Sequence, residues 1–177
     1  FFKLVIMKKL ALLLLLIPIL SFGQTTYEDY FRSGFEKYEN EDYYGAISDF
    51  TKSIELDSNF PLAYNYRGLS KSKISDHYGA ISDYRKAIKV DPNDPEWTHY
   101  YYGNMGASMI AVRDNEGALN CYNKAISLNP EYASGYLNRG NAKWNLGYSV
   151  SEVCKDYREA AYLGSRRAVE RINTQCN

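Results

Sequence analysis

The sequence holds only two histidines, His77 and His99, and neither has a matched partner at the spacing of a metal motif or a proton relay. No glycine-rich phosphate loop, no Gly-x-Ser-x-Gly and no Cys-x-x-Cys occurs. Catalysis is therefore not expected, and neither is a bound cofactor or metal. Charge of one sign is also missing: 21 basic residues balance 21 acidic ones. Removing residues 1–23, with Lys3, Lys8 and Lys9 and no acids, leaves 18 against 21, a net of −3. That balance excludes the strong basic excess of a nucleic-acid footprint. Long apolar runs are few. The main one, Leu10–Leu20, is 11 residues long and holds Pro18. A comfortable transmembrane helix needs about 20.

What is present is one stretch written several times. Asp42-Tyr-Tyr-Gly-Ala-Ile-Ser-Asp-Phe-Thr-Lys-Ser-Ile-Glu-Leu56 returns at 76–90 and again at 114–128, with a worn copy at 150–163. Each copy opens on a small residue (Ala46, Ala80, Ala118, Val153). An aromatic follows four residues later (Phe50, Tyr84, Tyr122, Tyr157), then another small residue (Ser53, Ala87, Ala125, Ala160). Spacings of three and four mark one face of an amphipathic helix. In the first copy the inward stripe is Ala46, Ile47, Phe50 and Ile54.

A second set of columns lies upstream. Glycine recurs at Gly34, Gly68, Gly106 and Gly140, each preceded by a tyrosine four residues earlier: Tyr30, Tyr64, Tyr102 and Tyr136. A tyrosine and a glycine one turn apart place a large side chain beside a hole, where a neighbouring helix can come close. Glycine inside a helix costs roughly 1 kcal/mol relative to alanine, so four matched glycines imply packing that returns more. Most of the eighteen tyrosines fall in or near these columns and read as core and groove packing.

These columns resemble the tetratricopeptide repeat (TPR), a helix-turn-helix unit of about 34 residues with aromatic, Gly, Ala, aromatic and Pro positions in fixed order. Pro92 and Pro130 supply the closing proline. Ser58 replaces the first one, Val153 replaces the last alanine, and the fourth copy has one extra residue before Val153. The resemblance covers about residues 27 to 165. It implies an all-α fold: a right-handed α-solenoid of four TPR helix pairs with a terminal capping helix. The units run 27–60, 61–94, 95–132 and 133–165, with 166–177 as the cap. Polar residues dominate that last segment, as the water-facing end of a solenoid requires.

Met7-Lys8-Lys9 and the apolar run end in Ser21-Phe22-Gly23, which reads as a secretory signal cleaved after Gly23, with Met7 as the start. No cysteine stands at the cleavage region, which argues against a lipoprotein anchor. Retention as an N-terminal anchor is the alternative. Thr26, Asp42, Asp76 and Asp114 are expected to cap helices. Ser149 and Glu152 have capping-box spacing. Asp94 followed by Pro95 predicts that the first helix of the third unit starts early, about one turn longer than its siblings. Trp97 on that turn either covers the neighbouring unit or is exposed for binding.

If the last two helices form a hairpin turning near Gly164, residue 154 lies level with about residue 175. That places Cys154 and Cys176 for a disulfide, which an exported chain permits. Cys121 stands in the column of Asp49, Asp83 and Asp156 and is expected to be half exposed. It either pairs between chains or stays inert.

In the family, the first helices of each pair line a concave groove that binds extended or helical peptide segments. The groove-facing candidates are Phe31, Phe35 and Tyr38 in the first unit, Asn65 and Leu69 in the second, Tyr100 and Asn104 in the third, and Asn138, Asn141 and Trp144 in the fourth. Asparagine can pair with a peptide backbone and aromatics can anchor side chains. The alternative for each is packing between units alone. Relatives that clamp a chaperone's acidic tail use lysines and asparagines, and Phe31 and Phe35 do not offer that chemistry. The resemblance implies a scaffold that binds a protein or peptide segment in the periplasm or cell envelope. The alternatives are a self-associating homo-oligomeric subunit and, with no motif in its favour, an enzyme.

Overall fold

A computed structural model describes residues 25–176. The leader read over residues 1–23 lies outside them. The described residues form helices joined by short turns: α1 (Tyr27–Glu39), α2 (Tyr43–Leu56), α3 (Pro61–Lys73), α4 (His77–Val90), α5 (Thr98–Ala111), α6 (Asn115–Leu128), α7 (Ala133–Asn145), α8 (Val150–Tyr162) and α9 (Arg166–Gln175). Each helix packs on the next. The first helices of successive pairs also touch (α1 on α3, α3 on α5, α5 on α7), which puts them on the inner side of the stack. The result is an all-helical solenoid of helix pairs closed by α9.

The starts of the helices follow from their caps. Thr26 and Asp29 form a reciprocal capping box, as do Ser149 and Glu152. Asp42, Asp76 and Asp114 each accept from the backbone N–H of Gly45, Gly79 and Gly117. The turn inside each pair passes through one left-handed residue: Glu41, Ser75, Arg113 or Gly147. Only the last is the glycine such a conformation favours.

The glycine column works through the rings opposite. A Cβ added at Gly34, Gly68, Gly106 or Gly140 would meet the ring of Phe50, Tyr84, Tyr122 or Tyr157 at 2.9, 2.7, 2.8 and 2.6 Å. Each hole in a first helix is thus filled by the aromatic of its own partner helix. Those four rings are at most 1% exposed, and Ala46, Ala80, Ala118 and Val153 are fully buried beside them.

The aspartate column holds a second, polar layer. Asp83 accepts from Arg67 Nε and Nη2 (2.9 and 2.7 Å) and pairs with Lys71 (2.8 Å). Asp156 does the same with Arg139 and Lys143, and Asp49 pairs with Lys37 and Ser33. All three aspartates are buried. Burial alone would raise Asp49's carboxyl. Hydrogen bonds from Lys37 and Ser33 outweigh it and hold the group below the usual carboxylate range. Half exposure of Cys121 is therefore a misreading, because its column faces the partner helix rather than solvent. Cys121 is buried, 3.6 Å from the Met109 sulfur, and burial pushes its thiol up to about 11. Met105 and Met109 occupy the columns of Arg67 and Lys71, so this layer is apolar in the third pair.

A second correction concerns α5. It starts at Thr98 and has 14 residues against 13 in α1, α3 and α7, not an extra turn. Asp94 spends its carboxylate on the N–H groups of Glu96 and Trp97, which makes residues 95–97 a turn ahead of the helix. Trp97 is half-buried against the cluster of Tyr64, Ala87 and Tyr101, so its ring covers the second pair.

Cys154 and Cys176 are joined in a disulfide with a Cα–Cα distance of 5.8 Å, tying α9 to α8. The bridge closes a span of 22 residues. In the chain-entropy model it stabilises by about 3 kcal/mol. Replacing both cysteines with alanine should lower the unfolding free energy by about that amount in calorimetry, and reductant should then shift the native chain but not the variant.

Candidate functional site: the inner groove

The inner faces of α3 and α5, with the turns before α5 and α7, enclose an open groove of about 480 Å³. Asn65 on α3 is 4% exposed, and its Oδ1 accepts from Asn104 Nδ2 of α5 at 3.0 Å. The pair bridges two inner helices and leaves Asn65 Nδ2 and Asn104 Oδ1 as a donor and an acceptor of the kind a peptide backbone needs. Tyr66 and Leu69 line one wall. Trp97 and Tyr100 line the other, with ring centroids 5.9 Å apart, and Tyr100 is 42% exposed.

Behind His99 and Tyr100, two glycines make room for another ring. Tyr132 sits where side chains on Gly103 and Gly135 would stand, at 2.5 and 2.7 Å from their ideal Cβ positions. Its ring meets those of His99 and Tyr100 edge-on, at 5.1 and 5.5 Å. Burial, then the neighbouring Tyr100, pushes the Tyr132 phenol up to about 12. His99 is buried, with Nε2 3.1 Å from Asn129 Nδ2. Burial lowers its pKa, so the ring is neutral at pH 7. Glu96 is the only charged residue lining the groove.

The structure gathers Asn65, Leu69, Tyr100 and Asn104 in this one groove. The other sequence-predicted residues lie elsewhere. Phe31, Phe35 and Tyr38 of α1 converge on the ring of Tyr66, at 5.6, 5.2 and 5.9 Å. Phe31 also packs on Phe50 and Phe60 and is a joint between the first two pairs, while Phe35 keeps 36% of its surface exposed. On α7, Asn141 accepts from the Tyr157 hydroxyl at 3.0 Å, Asn138 is half-buried and Trp144 is 44% exposed. Trp97, whose second reading was exposure for binding, lines the groove with Tyr66, His99 and Asn129, which were not singled out for it. Two of the four lie in turns whose path depends on the Asp94 cap and on the end of α6.

Residues 63–94 match the tetratricopeptide repeat model, and residues 114–147 match a TPR repeat model. The chain is a helical-repeat protein carrying tetratricopeptide repeats. Solved structures share its fold. A crystal structure of MamA superposes with a TM-score of 0.71 at 23% identity, covering 81% of this chain and 77% of that one. The Cut9–Hcn1 hetero-tetramer of APC/C gives 0.77 at 16% identity, covering 86% of this chain and 30% of that one. The first TPR of Spaghetti (RPAP3), bound to the HSP90 peptide SRMEEVD, gives 0.61 at 24%, covering 68% and 93%. No curated protein matches the chain.

Proposed function

We propose that this chain is a non-catalytic adaptor that holds an extended segment of a partner protein in the groove between α3 and α5. The observation that carries this reading is the Asn65–Asn104 bridge flanked by the rings of Tyr66, Trp97 and Tyr100. A buried amide pair can fix a backbone while exposed rings take up side chains. The HSP90 peptide on the RPAP3 domain shows that this fold can hold a peptide. An acidic tail of that kind is not the expected ligand here, since the groove lining offers Glu96 and no cation.

The reading places the adaptor in the periplasm or cell envelope, exported by residues 1–23. Among the described residues no helix is long and apolar enough to cross a membrane. Fractionation with N-terminal sequencing should find a mature chain beginning at Gln24. A chain retained in the membrane with its leader intact would overturn export with cleavage.

Crosslinking the chain in its own envelope and identifying what it holds tests the function. One dominant foreign protein is expected. Asn104→Ala with Tyr100→Ala should cut its recovery about tenfold or more, as central anchor residues do, and cost no more than about 1–3 kcal/mol of stability, the loss of the donor to buried Asn65. Recovery of its own copies alone would replace this reading with self-assembly.

A further inference from the structure

A cleft forms where the second helix of one pair meets the turn inside the next pair, and the same columns line it at two of these joints. Between the third and fourth pairs it measures about 330 Å³ and is lined by Glu116, Leu119, Asn120, Leu146 and Tyr148. Between the second and third pairs it is larger, about 630 Å³. Ile81, Met109 and Val112 form its apolar floor and Arg85, Lys86 and Lys89 its rim. Stacking therefore explains the cleft but not the charge. The three rim columns read Thr51, Lys52, Glu55 on α2, then Arg85, Lys86, Lys89 on α4, then Asn123, Lys124, Ser127 on α6.

The exception at Arg85 has a structural origin. Thr51 Oγ1 accepts from Arg67 Nη1, and Asn123 Oδ1 accepts from Arg139 Nη1, so each serves the guanidinium of the next pair. The guanidinium column of the third pair holds Met105 instead. Residue 85 has no such neighbour to serve, and an exposed arginine stands there. The buried-layer cations Lys37, Arg67, Lys71, Arg139 and Lys143 are held by aspartates. No ion pair among the described residues holds Arg85, Lys86 or Lys89. Asp114, at the end of the cleft, gives one carboxylate oxygen to the Gly117 N–H.

We propose that this outer cleft is a second docking surface, taking an acidic segment of a partner protein whose carboxylates meet Arg85, Lys86 and Lys89. Apolar side chains alternating with those carboxylates seat on Ile81, Met109 and Val112. A phosphate backbone offers nothing to that floor. None of its lining residues lines the inner groove, so one chain can hold two partners at once.

The test uses the full chain and three fluorescent peptides: alternating Glu–Leu, alternating Gln–Leu and oligoglutamate. The Glu–Leu peptide should bind at least tenfold more tightly than either control, and less tightly as salt rises. Arg85→Thr and Lys89→Ser take residues that the sister columns carry (Thr51, Ser127), and Lys86→Gln removes the remaining rim charge. The triple variant should lose about tenfold or more in affinity, the sum of three rim contacts, with its melting temperature unchanged. Asn104→Ala should leave this binding intact, which separates the cleft from the inner groove. Failure of the Glu–Leu peptide to bind, equal binding of the Gln–Leu peptide, or indifference to the triple variant would each overturn the proposal. Preferential binding to phosphatidylserine vesicles, lost in the triple variant, would also overturn it and assign the cleft to a membrane surface.

Discussion

Tyr84→Ala should lower the unfolding free energy by about 3–5 kcal/mol, the range for emptying a fully buried aromatic site. The ring is 1% exposed and lies on Gly68, whose missing side chain makes the space it fills. It packs with Ala80, Met105, Ala118 and Tyr122 in the cluster that joins the second pair to the third. Truncation leaves a hole that glycine on one side and alanines on the other cannot close, so the cavity persists. Tyr78→Ala is the control. It lies on the same helix but is 75% exposed, and surface changes of that kind stay within about 0.5 kcal/mol. Urea unfolding of the two variants decides the matter. A loss below about 1 kcal/mol for Tyr84→Ala would mean that the ring is not the packing element its burial implies.

The same columns explain what could be read without coordinates. Period, glycine, aromatic and capping aspartate are local statements, and each survives translation into three dimensions because helix faces and caps depend on near neighbours. The Cys154–Cys176 bridge was legible for a related reason: one hairpin turn sets its register. The readings that failed depend on groups farther along the chain. Residue 121 is buried because its column faces the opposite helix, where residues 105 and 109 stand. The three sister layers held the clue, since Asp49, Asp83 and Asp156 each keep a lysine twelve or thirteen residues upstream, where Cys121 has Met109. The early start of α5 failed because an Asp-Pro pair fits both a helix start and a capped turn. The groove was half legible. Asn65 and Asn104 follow from helix periodicity, but the turns that carry Trp97 and Asn129 to them do not. On α1 the aromatics meet the ring of Tyr66 and form a joint between the first two pairs.

Cys121→Asp is the other variant with a large expected effect. It restores the residue type of the sister layers but not its partners. The new carboxylate would be buried beside Met105 and Met109, with no cation in the positions of Arg67 and Lys71 and only the exposed guanidinium of Arg85 acting on it. Leaving such a charge uncompensated costs about 3–5 kcal/mol. Adding Met105→Arg and Met109→Lys should recover at least half of that loss, since a satisfied buried triad is far less costly than a lone charge. Recovery should stay incomplete while Arg85 remains. The added guanidinium reaches toward residue 85, where Thr51 and Asn123 supply an acceptor to Arg67 and Arg139 and Arg85 supplies a second positive charge. Arg85→Thr should therefore stabilise the triple variant and leave the native chain nearly unchanged. A cycle of these variants measures the coupling directly, and contacting residues of this kind couple by about 0.5–3 kcal/mol. Strict additivity would show that residues 85, 105, 109 and 121 do not act as one layer. It would also remove the structural reason for an unpaired arginine on the outer cleft.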